Sequence, residues 1–169
     1  PTAGPNLPST LRFGQAIDLT ASVAGTNGLP FGTGTVSLFD GAANLTPAGL
    51  AITGTSPASQ TLTTSALAVG SHNLQARYSG DSANYLASQS ATVPVTISKA
   101  DTSSAISVLT PASGIVAAGS PLTLRVLVSP AAYVQSSAAR PTGTVTFTVA
   151  GVASLGTATV DPLTGVASL

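Results

Sequence analysis

Five aspartates, one histidine, one lysine, four arginines and three tyrosines are the whole ionisable stock of this 169-residue chain, which has no Glu and no Cys. A Ser-His-Asp arrangement is formally available, because His72 and Asp81 fall near one predicted hairpin and Ser is abundant. No Gly-x-Ser-x-Gly elbow is present to lift a nucleophile out of a turn, however, so the combination carries no weight. General acid–base catalysis needs two carboxylates in contrasting environments. Asp18, Asp40, Asp81, Asp101 and Asp161 are instead scattered over strand faces and turns, where they read as solvated or turn-forming groups. A lone His without Cys cannot assemble a zinc site, so His72 reads as a turn or strand-start residue. Gly32-Thr33-Gly34 lacks the third glycine and the following helix of a dinucleotide loop, and reads as an ordinary start to a strand. The chain is expected not to be an enzyme.

Binding chemistry leaves two candidates. Asp81, Asn84 and Asp40 are hard oxygen donors that would bind calcium if they gathered at one end of a fold, and Asp101 would stiffen a junction. With no Asp-x-Asp-x-Asp loop, the reading preferred is that Asp81 and Asn84 bond the backbone of their own turn, and no cofactor is expected. Phe31, Tyr85 and Tyr133 fall in or beside predicted loops, where exposed rings stack on sugars; as isolated rings they read first as loop anchors. Lys99, the only lysine, lies at a junction and is badly placed for a buried Lys–Asn crosslink. Asn44-Leu45-Thr46 fits a glycosylation acceptor and is read as a chance match.

These groups must be carried by strands. Hydrophobic residues make up 43% of the chain, enough for a core, whereas only 6% are charged and the net charge is zero, which excludes an electrostatic footprint for nucleic acid or an anionic membrane. Ser, Thr, Ala and Gly dominate, a composition that disfavours surface helices and suits Thr- and Val-rich strands between Gly/Pro turns. No apolar run reaches the roughly 18 residues of a membrane span, and Pro1 opens no signal-peptide pattern, so an export signal would lie upstream.

Period two marks the strands. Ile17, Leu19, Ala21 and Val23 alternate with polar residues, as do Leu74, Ala76 and Tyr78, and Val93, Val95 and Ile97. Pro94 cannot donate to a ladder, which puts its strand at a sheet edge or a bulge. Asp40-Gly41, residues 57–59, 68–71 and 79–82 are turn clusters.

The pattern then repeats. Gly14-Gln15-Ala16-Ile17-Asp18-Leu19 recurs 105 residues on as Gly119-Ser120-Pro121-Leu122-Thr123-Leu124, and Gly34-Thr35-Val36-Ser37-Leu38-Phe39 recurs 109 residues on as Gly143-Thr144-Val145-Thr146-Phe147-Thr148. A period near a hundred residues with short alternating strands predicts tandem β-sandwiches: residues 1–98, a junction at 99–102, and residues 103–169.

The stretch from Leu67 to Ser88, with its strand ending in Tyr78-Ser79-Gly80-Asp81 and its Asn84-Tyr85 pair, resembles the closing half of the bacterial immunoglobulin-like repeats of large surface proteins. Val95-Thr96-Ile97-Ser98-Lys99-Ala100-Asp101-Thr102 is similar to that family's junction between domains, and Gly143 to Phe147 with Leu155-Gly156-Thr157-Ala158 carries the likeness into the second copy. The resemblance implies an all-β fold of tandem immunoglobulin-like sandwiches. It also implies a structural role in a stalk, fibre or adhesin array, at the cell surface or outside the cell, with copies of itself or adjacent repeats as partners. The alternatives are a module that binds a glycan or a host protein, and an inert spacer appended to a secreted enzyme.

Aligning the copies predicts that each is incomplete. The strand near Ala105-Ile106-Ser107-Val108 has a counterpart that would precede Pro1, so the first sandwich lacks most of its opening strand. Ser168-Leu169 matches Thr61-Leu62, so the equivalent of residues 63–98, the closing strands, has no second copy. Leu122, Leu124, Val126, Val128, Val145, Phe147 and Leu155 would then be partly uncovered. At roughly 1.5–3 kcal/mol for each large apolar side chain, that loss rivals the stability of a whole domain. Strand addition from a neighbouring subunit, continuation of a longer chain, or a compact rearrangement of the second half would each relieve it.

Overall fold

A computed structural model of the protein describes residues 2–3, 10–25, 29–82, 84–134, 140–151 and 154–169. The chain divides into two compact units, Pro1–Lys99 and Ala100–Leu169. No described residue is helical.

Unit 1 contains β1 (Thr2–Ala3), β2 (Leu11–Arg12), β3 (Ile17–Val23), β4 (Thr35–Asp40), β5 (Ala43–Asn44), β6 (Leu50–Ala51), β7 (Ala58–Thr64), β8 (Gly70–Tyr78), β9 (Ser88–Gln89) and β10 (Val93–Ser98). One sheet runs β1-β3-β7. The other runs β2-β10-β8-β4-β5, with β6 also on β4 and β9 also on β8. The alternation read from the sequence becomes the core. Ile17, Leu19, Ala21 and Val23 of the first sheet and Val36, Leu38, Leu74, Ala76, Tyr78, Val95 and Ile97 of the second are all buried and belong to one cluster, with Val36 and Ile52 fully enclosed. The intervening Asp18, Ser71, Asn73 and Thr96 face water. Pro94 sits where β10 has β8 on one side only, because β2 joins β10 in parallel further along, at Ile97 and Ser98. Two predicted turns are shorter than expected: β7 begins at Ala58 and β8 at Gly70, each inside a cluster of turn-forming residues.

Unit 2 contains β11 (Thr102–Thr110), β12 (Thr123–Pro130), β13 (Thr144–Phe147), β14 (Gly156–Thr159) and β15 (Val166–Ser168), in a β11-β12-β15 sheet and a β13-β14 hairpin. One turn of the sequence repeat has the same backbone geometry in both units. Gly14 and Gly119 adopt φ of 85° and 84°, and each is the third residue of a four-residue turn, with Gln15 N–H donating to Arg12 O at 3.1 Å and Ser120 N–H to Ala117 O at 3.0 Å. Only glycine takes that backbone conformation at no steric cost, which accounts for its presence in both copies.

Unit 2 is open where unit 1 is closed. Ile106 and Val108 stand directly across from Val126 and Leu124 and so share their face of the sheet. Val126 and Leu124 are buried, but Ile106 is 66% and Val108 39% exposed. The outer strand of the inner face therefore lies bare. Val116, which lies 105 residues on from Leu11 in the sequence repeat, is 38% exposed, whereas Leu11, paired to β10, is buried. The sequence expectation needs one correction: Leu124, Val126 and Phe147 are buried in a small cluster of their own, with Val128, Val145 and Ala158 packed against it. The sheet and hairpin close over the centre of the face, and exposure falls on its margins, at Leu122 and Leu155 among others.

Candidate functional site

Three places in unit 1 concentrate polar chemistry, and the register of β4 against β8 fixes their separation. Val36 pairs with Tyr78 and Asp40 with Leu74, so the Asp40 end and the Tyr78 end of this pair of strands lie four residues, roughly 13 Å, apart.

At the first end, Asp40 closes β4 and His72 enters β8 facing the core. His72 Nδ1 lies 2.6 Å from Asp40 Oδ2, and its Nε2 lies 2.8 Å from Ala68 O. Asp40 Oδ1 also accepts the Asn73 N–H at 3.0 Å. The hydrogen bond to Asp40 raises the His72 pKa above its ordinary 6.5. Burial opposes that shift, and the Ala68 carbonyl and the Asp40 charge add to it. For Asp40, burial pushes upward but is outweighed by the His72 hydrogen bond, the Asn73 N–H and the His72 charge, so its pKa falls below 3.8. The cluster is a clasp between the β4–β5 turn and the loop before β8.

At the opposite end, Asp81 organises the turn after β8. Its Oδ1 accepts the N–H groups of Asn84 (2.6 Å) and Tyr85 (2.8 Å), and its Oδ2 accepts the Gly32 N–H at 3.1 Å. Three backbone donors on one carboxylate make this an anchor for two loops. The calcium candidates therefore do not converge: Asp81 and Asn84 share a turn, while Asp40 sits at the far end with His72. Among the described residues no group of three His, Asp or Glu side chains is placed to hold a metal ion.

The aromatic candidates sit where loops meet one another. Phe31, expected in a loop with its ring exposed, is 6% exposed and belongs to the core. It meets Tyr78 edge-on at 5.8 Å and Tyr85 at 4.8 Å, and Tyr85 Oη donates to Leu29 O at 2.7 Å. Phe31 and Tyr85 thus pin the loops at this corner to one another. Tyr133 does similar work in unit 2, where its hydroxyl accepts the Asp101 N–H at 3.0 Å and donates to Asp101 Oδ2 at 3.2 Å.

The third place escapes sequence reading. Arg77 projects outward from β8, and its guanidinium carbon lies 4.2 Å from the centroid of the Phe39 ring. Its Nε donates to Gln75 Oε1 at 2.9 Å, and Gln75 Nε2 in turn donates to Ser90 O at 3.1 Å. Polar alternation announces the outward direction of Arg77. Its ring partner, on another strand 38 positions away in sequence, is set only by sheet register.

Residues 5–98 match the family of bacterial Ig-like domains, group 3. The chain belongs to that family. No curated protein and no solved structure matches it. The match covers the described core of unit 1 from Leu11 to Ile97, and it makes the Asp81 turn and the His72 clasp parts of an Ig-like domain's frame. Bacterial Ig-like domains are in general structural and surface modules, and the family is generally non-catalytic. No helix among the described residues is long and apolar enough to cross a membrane.

Proposed function

We propose that this chain is a repeat module of an exported bacterial surface protein, serving as part of a stalk, fibre or adhesin array. In this reading the open face of unit 2 is covered by strands of the β8 and β10 type, supplied by an adjacent repeat or a neighbouring subunit. The observation that carries it is Ile106, 66% exposed directly across from a Val126 that is 5% exposed. A fold that buries one member of a cross-strand pair and leaves the other in water has a place for another layer. In unit 1 that layer consists of Leu74, Ala76, Tyr78, Val95 and Ile97.

The two parts of the proposal are tested separately. Joining a copy of residues 63–98 behind Leu169 through a short Gly/Ser linker is expected to slow amide exchange in β13 and reduce binding of a hydrophobic dye. An unchanged exchange pattern would overturn the completion. Antibodies against unit 1 are expected to label intact, unpermeabilised cells that express the protein, and labelling only after permeabilisation would overturn the surface role.

A further inference from the structure

We infer that the outer face of β4, β8 and β9 is a binding site for acidic saccharides, with the Arg77 guanidinium receiving the sugar carboxylate. Arg77 is held at two points before any ligand arrives: its guanidinium carbon lies over the Phe39 ring, and its Nε is fixed by Gln75, which Ser90 O holds in turn. Both bonds leave its terminal nitrogens without an acceptor among the described residues, in the fork geometry that suits a carboxylate. Fixing the side chain beforehand reduces the entropy lost on binding.

The surroundings specify the rest of the ligand. Ser37 on β4 and Gln89 on β9 stand directly across from Arg77 in register, one on each side, so the three side chains form a row over three strands. A shallow concavity lies on each side of Arg77, with Thr35 and Ser37 on the β4 side and Gln89 on the β9 side. The side chains of Thr35, Ser37 and Gln89, on the same face as Arg77, make no hydrogen bond to another described residue. No Asp lines either concavity. One immobilised cation flanked by unpaired hydroxyls and an amide, with no carboxylate to compete, matches a ligand that carries a carboxylate among many hydroxyl groups. A uronic acid chain has that chemistry. An acidic peptide shares the charge but would leave the hydroxyl row unused.

The test is an NMR titration of the whole chain with a uronic acid trisaccharide, its methyl ester and an acidic peptide of equal charge. The free trisaccharide is expected to shift the amides of residues 35–39, 75–78 and 88–89. The ester, Arg77→Gln and Arg77→Lys should each weaken binding roughly tenfold to a hundredfold, the range for a charge-assisted bidentate contact. Arg125→Gln, an exposed arginine of unit 2, should bind as the parent does, and a melt of Arg77→Gln close to the parent's would show that the fold is intact. Equal binding of the ester, parent-like binding by Arg77→Gln, equal binding of the peptide, or no shift at millimolar sugar would each overturn the inference.

Discussion

The imidazole of His72 donates to the Asp40 carboxylate at 2.6 Å while its other nitrogen faces the Ala68 carbonyl at 2.8 Å. Both partners are acceptors, so the two bonds form together only when both ring nitrogens carry protons. The neutral ring must give one of them up.

Stability of unit 1 should therefore depend on pH in a stated sense. The folded pKa of His72 is raised, so its contribution is fully present below about 6.5 and is lost as pH rises through the folded value. The folded pKa of Asp40 is lowered, so its contribution is present above about 3.8 and is lost as pH falls through the folded value. Thermal melts from about pH 3 to about pH 9 should give a maximum between these limits. His72→Gln should flatten the alkaline fall and cost about 1–3 kcal/mol at mildly acidic pH. An alkaline limb that survives the substitution would contradict this assignment.

A second expectation concerns Tyr78 and Gly34. A Cβ at Gly34 would stand 2.4 Å from the Tyr78 ring and 2.7 Å from Gly80 O, and Tyr78 Oη is buried with no hydrogen-bond partner among the described residues. Gly34→Ala should destabilise unit 1 by about 1–3 kcal/mol, because backbone as well as ring must shift. Tyr78→Phe removes a desolvated hydroxyl that makes no bond, and should match or exceed the parent in a denaturant titration.

Asp81 should prove structural. Asp81→Ala strands the N–H groups of Gly32, Asn84 and Tyr85 and should lower stability by about 1–3 kcal/mol. A chelator, added to the parent protein, should leave its melting temperature unchanged. A fall on chelation would return calcium to this turn.

Limited trypsin digestion should cut first after Lys99, an exposed residue between β10 and β11. Arg77 lies inside β8, whose backbone is paired to β4, β9 and β10, and should be cut slowly in spite of its exposed side chain. Mass spectrometry of the first fragments decides the order, and early cleavage at Arg77 would mean that β8 opens locally.

Much of this frame was legible because it rests on local pattern. Alternation at Ile17 to Val23 predicted which side chains are buried, and the repeated stretches that begin at Gly14 and Gly119 start from turns of closely matching φ. What could not be read depends on register. Asp40 and His72 are 32 residues apart, and Phe39 and Arg77 meet only because β4 and β8 pair as they do. Phe31 looked like a loop residue between Pro30 and Gly32, yet a single bridge to Gly54 turns its ring inward. The burial of Leu124, Val126 and Phe147 was missed because a sheet and a hairpin can close over one another locally without a complete second layer.

The nine residues of β11 carry no charge and no proline, and every one of them is exposed. Among the described residues β11 ends its sheet, with β12 on one side only. Natural proteins interrupt such borders with lysine, proline or a bulge, and here a lone bulge near Leu109 is the single interruption. Uncovered, Thr102–Thr110 is a template on which identical strands can stack into cross-β ribbons. The isolated chain in concentrated solution is therefore expected to age slowly into fibrils.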